Sequence, residues 1–172
     1  MSLSGGCQCG AVRYRAAKAP TEPHLCHCRM CQKAAGNYFM PLGGVAHEDF
    51  EITRGEIAWF HSSDVVRRGF CARCGTPLIY ETIGDDHVAV TLGSLDRPQD
   101  VAPVTHSDAY ARMPWFDKLF GLPDGGAQDP TDGDGERYRD IRISNHQHPD
   151  HDTDIWPPES KTPVSKTLEN KA

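Results

Sequence analysis

No stretch of this chain holds the roughly 20 consecutive apolar residues that a membrane-spanning helix requires. Positive charge is not in excess either: the formal net charge is −6 and the pI about 5.8. That balance argues against nucleic acid or an anionic membrane as the partner. The opening residues, Met1-Ser2-Leu3-Ser4-Gly5-Gly6, show no basic segment followed by an apolar one, so no secretory signal is expected and a cytoplasmic location is. Long helical periodicity is missing. So is any internal repeat beyond the recurrence of short cysteine pairs. An even set of cysteines is also missing: there are seven, which cannot all pair with one another. An odd count without a secretory signal fits a reducing compartment, and thiolate ligands are expected instead of disulfides.

What is present is a division of those cysteines into three short groups. Cys7-Gln8-Cys9 comes first, Cys26-His27-Cys28-Arg29-Met30-Cys31 second and Cys71-Ala72-Arg73-Cys74 third. Four thiolates close a tetrahedral zinc site and three leave a position open. The two pairs together make one four-sulfur site, which leaves the central group as a compact three-sulfur site. The reverse pairing would leave Cys7 and Cys9 idle. Two zinc ions per chain are therefore expected, one structural and one of catalytic type. A zinc ion with three thiolates carries net −1, so it activates water less well than one held by neutral histidines. It still suits an incoming thiol, because sulfur is a good zinc ligand. Iron–sulfur spacing does not match.

The rest of the chain reads as mainly β. Its 172 residues suffice for one domain with a core, expected over 1–157, with 158–172 as a disordered tail. Alternation or short apolar runs predict strands at 11–15, 37–42, 50–53, 57–61, 65–70, 78–81 and 87–92, with one more within 104–111. Residues 32–36 predict a turn of helix stopped by Gly36, and 113–120 the start of a short helix. Gly43-Gly44 reads as a turn or flexible loop and Arg54-Gly55-Glu56 as a hairpin connection. The Gly/Asp-rich stretch 124–135 reads as a mobile loop, and 141–156 as the end of the ordered part.

Three segments carry a resemblance. Gly6-Cys7-Gln8-Cys9-Gly10-Ala11-Val12-Arg13-Tyr14, Cys26-His27-Cys28-Arg29-Met30-Cys31-Gln32 and Phe70-Cys71-Ala72-Arg73-Cys74-Gly75-Thr76-Pro77-Leu78 resemble the signatures of the glutathione-dependent formaldehyde-activating enzyme family, which also contains centromere protein V. Met113-Pro114-Trp115-Phe116 and the segment from His148 to Asp154 resemble its later landmarks, so the likeness spans roughly residues 4–157. The resemblance implies a β-tent of small antiparallel sheets built around a structural zinc. It implies that Cys7, Cys9, Cys71 and Cys74 hold that zinc, and that Cys26, Cys28 and Cys31 hold the catalytic one. The implied activity is that of a carbon–sulfur lyase, with glutathione or another small thiol adding to formaldehyde or a related small aldehyde. A non-catalytic zinc- and thiol-binding module is the alternative.

Glutathione is anionic and needs cationic donors. Arg29 and Lys33 stand nearest the central cysteines in sequence and are the expected substrate-binding residues, with Arg67 and Arg68 as further candidates. His27, between two ligands, reads as a surface residue before a closing ligand. His106 reads as structural before a proton carrier. Trp115 and Phe116 read as core before pocket wall. The His/Asp-rich segment 146–154 reads as solvated and pinned by Trp156.

Overall fold

A computed structural model of the chain describes residues 2–123 and 135–157. The tail expected at 158–172 and all but the last residue of the loop expected at 124–135 lie outside them. Ten strands and two α-helices are described. In chain order they are β1 (Leu3–Gly6), β2 (Arg13–Ala16), β3 (Thr21–Cys26), α1 (Arg29–Ala35), β4 (Met40–Ala46), β5 (Phe50–Arg54), β6 (Ala58–His61), β7 (Val66–Phe70), β8 (Pro77–Thr82), β9 (His87–Thr91), β10 (Thr105–Ser107) and α2 (Gly135–Ile143). A 3₁₀ turn at Ala109–Ala111 and another at Phe116–Gly121 stand where a strand end and a short helix were expected.

The strands form two sheets. One is three-stranded and antiparallel, in the order β1-β2-β5. The other has seven strands in the order β10-β3-β4-β9-β8-β7-β6, antiparallel except where β10 runs parallel to β3. The architecture is thus mainly β, but one sheet is large and mixed where small antiparallel sheets were expected. The parallel pair exists because β10 returns from the far side of the chain and lies along β3 with Ser107 opposite Cys26.

The main core lies between the sheets. Tyr14 and Ala16 point into it from β2, Val45 from β4, Leu78 and Ile79 from β8, and Val88 and Val90 from β9. Alternation on β2 and β9 produces this directly, since every second side chain faces the partner sheet. The Tyr14 hydroxyl, fully buried, is within 2.7 Å of Ser94 Oγ, so the ring is enclosed without an orphaned polar atom. A second, smaller cluster joins Cys26, Cys31, Met40 and Leu42 and packs against Tyr80 and Ala89. It lies on the other face of the large sheet and supports the three-cysteine site.

Two glycine readings change. Gly43-Gly44 is not a turn but the middle of β4. A side chain on Gly43 would meet Pro20 Cβ at 2.7 Å, so the residue marks a close approach within the sheet. Arg54-Gly55-Glu56 is not a hairpin: β5 belongs to the small sheet and β6 to the edge of the large one, so this link carries the chain between sheets. Gly55 has φ +68 and lies against the Ala11 carbonyl, which leaves no room for a side chain.

Candidate functional site

The seven sulfurs fall into two groups. Those of Cys7, Cys9, Cys71 and Cys74 lie within 4.8 Å of one another, as do those of Cys26, Cys28 and Cys31. All seven are free thiols.

Two similar loops build the four-sulfur group. Between β1 and β2, Cys7 N–H donates to the Val12 carbonyl and Gly10 N–H to the Cys7 carbonyl, both at 3.0 Å. Between β7 and β8, Cys71 N–H donates to the Thr76 carbonyl at 3.0 Å and Gly75 N–H to the Cys71 carbonyl at 2.8 Å. Gly10 (φ +71) and Gly75 (φ +76) take the left-handed conformation that closes each loop. The Cys7 and Cys9 sulfurs are 3.6 Å apart and those of Cys9 and Cys71 3.8 Å apart. Zinc–sulfur bonds of about 2.3 Å in a tetrahedron give edges of about 3.8 Å, so the sulfurs fit that ion. Burial pushes the Cys7 thiol up to about 12. Burial also opposes ionisation of Cys74, but donors from the Thr76 hydroxyl and amide outweigh it and bring that thiol down to about 6. Metal binding here must displace protons.

The C-terminal segment packs against the first of these loops. The Trp156 indole donates to the Cys9 carbonyl at 2.7 Å, and His148 N–H to the Gln8 carbonyl at 2.7 Å. Arg13 pairs with Asp96 and Asp152, and the Arg54 guanidinium reaches the Thr153 carbonyl. Trp156 does pin the segment, but the segment is not simply solvated, for His148 is buried and stacks edge-on against Trp156.

The three-sulfur group is built differently. Cys26 ends β3, Cys28 is the N-cap of α1, and Cys31 lies in that helix's first turn, its amide donating to Cys28 Sγ at 3.4 Å. Gly36 stops the helix in the left-handed conformation. Arg68, on β7, is only 7% exposed, and its guanidinium lies 3.5 Å from Cys31 Sγ and over the Tyr80 ring. Among the described residues no carboxylate lies within ion-pair distance of it; besides Cys31 it reaches Met40 Sδ at 3.7 Å. Hydrogen bonding with Cys26 and then with Arg68 outweighs burial and holds the Cys31 thiol below its ordinary range. The shared bond with Cys31 and burial push Cys26 above it.

These sulfurs face a cavity of about 380 Å³, walled by Met30, Leu42, Arg68 and Tyr80 and rimmed by Asp108 and Tyr110. Arg29 and Lys33 do not line it. They are exposed, and with Phe60 they line an adjoining cavity of about 370 Å³ that shares Met30 and Arg68 with the first. Arg67 points to the opposite face of its strand, where it pairs with Glu81 and lies over Trp59.

His27 is not on the surface. It is fully buried, with Nε2 within 2.8 Å of His106 Nδ1 and its ring edge-on to Phe116. Burial holds it below its ordinary range. Phe116 is core, as read, but Trp115 is not: it is exposed and packs edge-on against Tyr38. Sequence reading passed over Asp108, whose carboxylate lies 3.6 Å from Cys26 Sγ. A lone aspartate 82 positions from that cysteine gives no sequence signal.

No helix among the described residues is long and apolar enough to cross a membrane. A crystal structure of a Rhodobacter sphaeroides protein shares the fold with a TM-score of 0.50 and 19% identity, covering 60% of this chain and 99% of that one. A Halomonas elongata protein that carries the name glutathione-dependent formaldehyde-activating enzyme is 38% identical over 88 residues, which cover 45% of this chain and 55% of that protein. The chain thus spans about half the length of this curated relative. The sequence profile described as glutathione-dependent formaldehyde-activating enzyme matches residues 2–111. That match takes in more than half of the chain and both sulfur clusters, and the chain belongs to the glutathione-dependent formaldehyde-activating enzyme family.

Proposed function

We propose that the protein catalyses the reversible addition of a thiol, glutathione foremost, to formaldehyde or a related small aldehyde, acting in the reverse direction as a carbon–sulfur lyase. The observation that carries this reading is the asymmetry between the two clusters: four sulfurs, enough to close a tetrahedral site, in one, and three, facing a cavity of about 380 Å³, in the other. The four-sulfur group fits a structural zinc. Cys26, Cys28 and Cys31 would hold a second zinc, which supplies a position where a thiol is kept as thiolate near neutral pH.

In the forward reaction the thiol loses its proton, a sulfur–carbon bond forms at the aldehyde carbon, and the carbonyl electron pair moves to oxygen, which takes up a proton. Reversal breaks the same carbon–sulfur bond and releases both reactants. Arg68 offsets negative charge beside the sulfurs and presents a guanidinium to the cavity. Arg29 and Lys33, at the adjoining cavity, suit the carboxylates of an anionic thiol. Met30 and Leu42 give the reacting atoms an apolar wall, and the neutral aldehyde needs no charged partner there.

The test is metal content per chain before and after dialysis against millimolar glutathione, followed by an adduct-turnover assay. Two zinc ions falling towards one, with turnover above the spontaneous rate, support the reading. Two ions untouched by glutathione and no turnover would favour the non-catalytic binding module.

A further inference from the structure

Strand β7 carries two adjacent arginines, and alternation sends them to opposite faces. Arg67 meets a carboxylate, Glu81. Arg68 turns to the sulfur side of the sheet and is only 7% exposed. Its Nη2 lies 3.5 Å from Cys31 Sγ and its Nη1 3.7 Å from Met40 Sδ, with the guanidinium carbon 5.0 Å from the centre of the Tyr80 ring. A guanidinium has five N–H groups, and thiol and thioether sulfurs are weak acceptors. A cation buried away from any carboxylate is costly to keep, yet this one lines both the three-sulfur cavity and the cavity beside it. Among the described residues it is the sole lysine or arginine on the three-sulfur cavity. The two histidines there, His24 and His87, are engaged with the Glu22 carbonyl and with Asp86. The other ionisable groups on that lining are the three thiols, the Asp108 carboxylate and the hydroxyls of Tyr80 and Tyr110.

We propose that Arg68 is the oxyanion donor of the reaction: its N–H groups not directed at sulfur hold the aldehyde oxygen as the carbon–sulfur bond forms. The inference rests on the reading that Cys26, Cys28 and Cys31 present a thiol to an aldehyde, and it names the residue that answers the charge this addition displaces. The addition moves charge without creating any. An electron pair of the thiolate forms the sulfur–carbon bond, the carbonyl π pair passes to oxygen, and the alkoxide takes a proton from water. An alkoxide is a far stronger base than a thiolate, so the charge arrives where it most needs a donor, in a cavity that already gathers three thiols and a carboxylate. A fixed donor aimed at that oxygen lowers such a barrier. The reach is sufficient. A fourth sulfur on a tetrahedral centre lies about 3.8 Å from Cys31 Sγ. The aldehyde oxygen is two bonds from that sulfur, so it can come within hydrogen-bonding reach of a guanidinium 3.5 Å from Cys31. Contacts with Met40 and Tyr80 hold the guanidinium in place, which spares reorganisation during the reaction. A neutral aldehyde gains little from the cation before attack, so the interaction belongs to the transition state.

The experiment uses the zinc-loaded full chain as wild type, Arg68→Met and Arg68→Lys, with two thioether analogues of glutathione. S-carboxymethylglutathione carries an anionic oxygen beyond the sulfur, and S-propylglutathione carries none. Calorimetry gives the ratio of their affinities for each protein, in which contacts to the shared tripeptide cancel. The carboxymethyl analogue should be favoured about 10- to 100-fold in wild type. The ratio should fall to about one or below in Arg68→Met and lie between in Arg68→Lys. In the adduct-turnover assay, Arg68→Met should lower kcat about 100- to 1,000-fold and leave the KM for glutathione within a few-fold. Arg68→Lys, which keeps the charge, decides the matter if the methionine variant loses zinc: its ratio must fall below that of wild type. A wild-type ratio near one, or a ratio unchanged by either substitution whether the two affinities hold or fall together, would overturn the inference and leave thiol addition standing. Absence of turnover above the spontaneous rate in wild type would overturn both.

Discussion

At the scale of single residues, the spacing of the cysteines carries most of what a reader of the chain can see. The close pairs and the compact triad declare themselves because ligands of one metal are held by short loops. Arg68, His27 and Asp108 do not, because their meaning comes from residues 37 to 82 positions away. The exposed pair Arg29 and Lys33 tests the electrostatic part of the proposed function. Charge reversal at both should weaken binding of glutathione by about tenfold and leave a neutral thiol such as mercaptoethanol unchanged, measured by competition for the second metal site. A second prediction concerns the Arg13–Asp96 pair. Burial disfavours the Asp96 carboxylate, but bonds from Arg13 and Ser4 outweigh it and hold the group below the usual carboxylate range. A depressed acid lends its stability in full above its unfolded value of about 3.9, and loses it as pH falls through the folded value. Asp96→Asn should therefore cost about 2–3 kcal/mol near neutrality, with Asp152 still on Arg13. The difference from wild type in urea unfolding should shrink towards zero in strong acid.

At the scale of elements, most strands could be read from alternation, and their limits moved by a few residues. Three failures have physical causes. Strand β1, Leu3–Gly6, was passed over because its glycines resemble a loop, yet Gly5 must be small to let Tyr14 and the Ser94 carbonyl approach. Strand β3 contains Pro23, and the register shifts between Thr21 and His24 to accommodate it. Helix α2 has little amphipathic pattern to announce it. The glycine at the sheet-to-sheet link offers a test with its own control. A side chain at Gly55 would lie 2.0 Å from the Ala11 carbonyl oxygen, whereas one at Gly36 would meet nothing within 4 Å, although both have positive φ. Gly55→Ala should lose about 3 kcal/mol or more in denaturant unfolding, and Gly36→Ala only about 1 kcal/mol. Equal losses would mean that backbone conformation alone governs both.

At the scale of the whole molecule, the four-sulfur group joins three distant parts of the chain: the β1–β2 loop, the β7–β8 loop and the segment from His148 to Trp156. The sequence shows the first two meeting through their cysteines. It does not show the third, since two of the bonds that fasten it run to the Gln8 and Cys9 carbonyls, which every residue possesses, and the Arg13–Asp152 pair spans 139 positions. If a structural zinc is held there, as proposed, it contributes roughly 10–16 kcal/mol of apparent binding free energy to the folded state. Stripping it with a strong chelator should unfold the protein, followed by circular dichroism. Trp156→Ala removes the indole from the Cys9 carbonyl, and should speed metal release from the four-sulfur group several-fold while leaving thiol affinity at the three-sulfur cavity unchanged. Parallel changes at both clusters would show that the two sites are mechanically coupled through the sheets.

The closure of that group by late residues also orders events during synthesis. Cys7 and Cys9 leave the ribosome first and must wait for Cys71 and Cys74 before they have partners; Cys9 and Cys71 are 62 positions apart. The three central thiols emerge in between, already adjacent and able to capture an ion by themselves. A nascent chain therefore passes through a stage in which the centre assembled from local residues is ready and the one that fastens the fold is not. Trp156 arrives 82 positions after Cys74, so its bond to the Cys9 carbonyl forms only once all four sulfurs of that group have emerged.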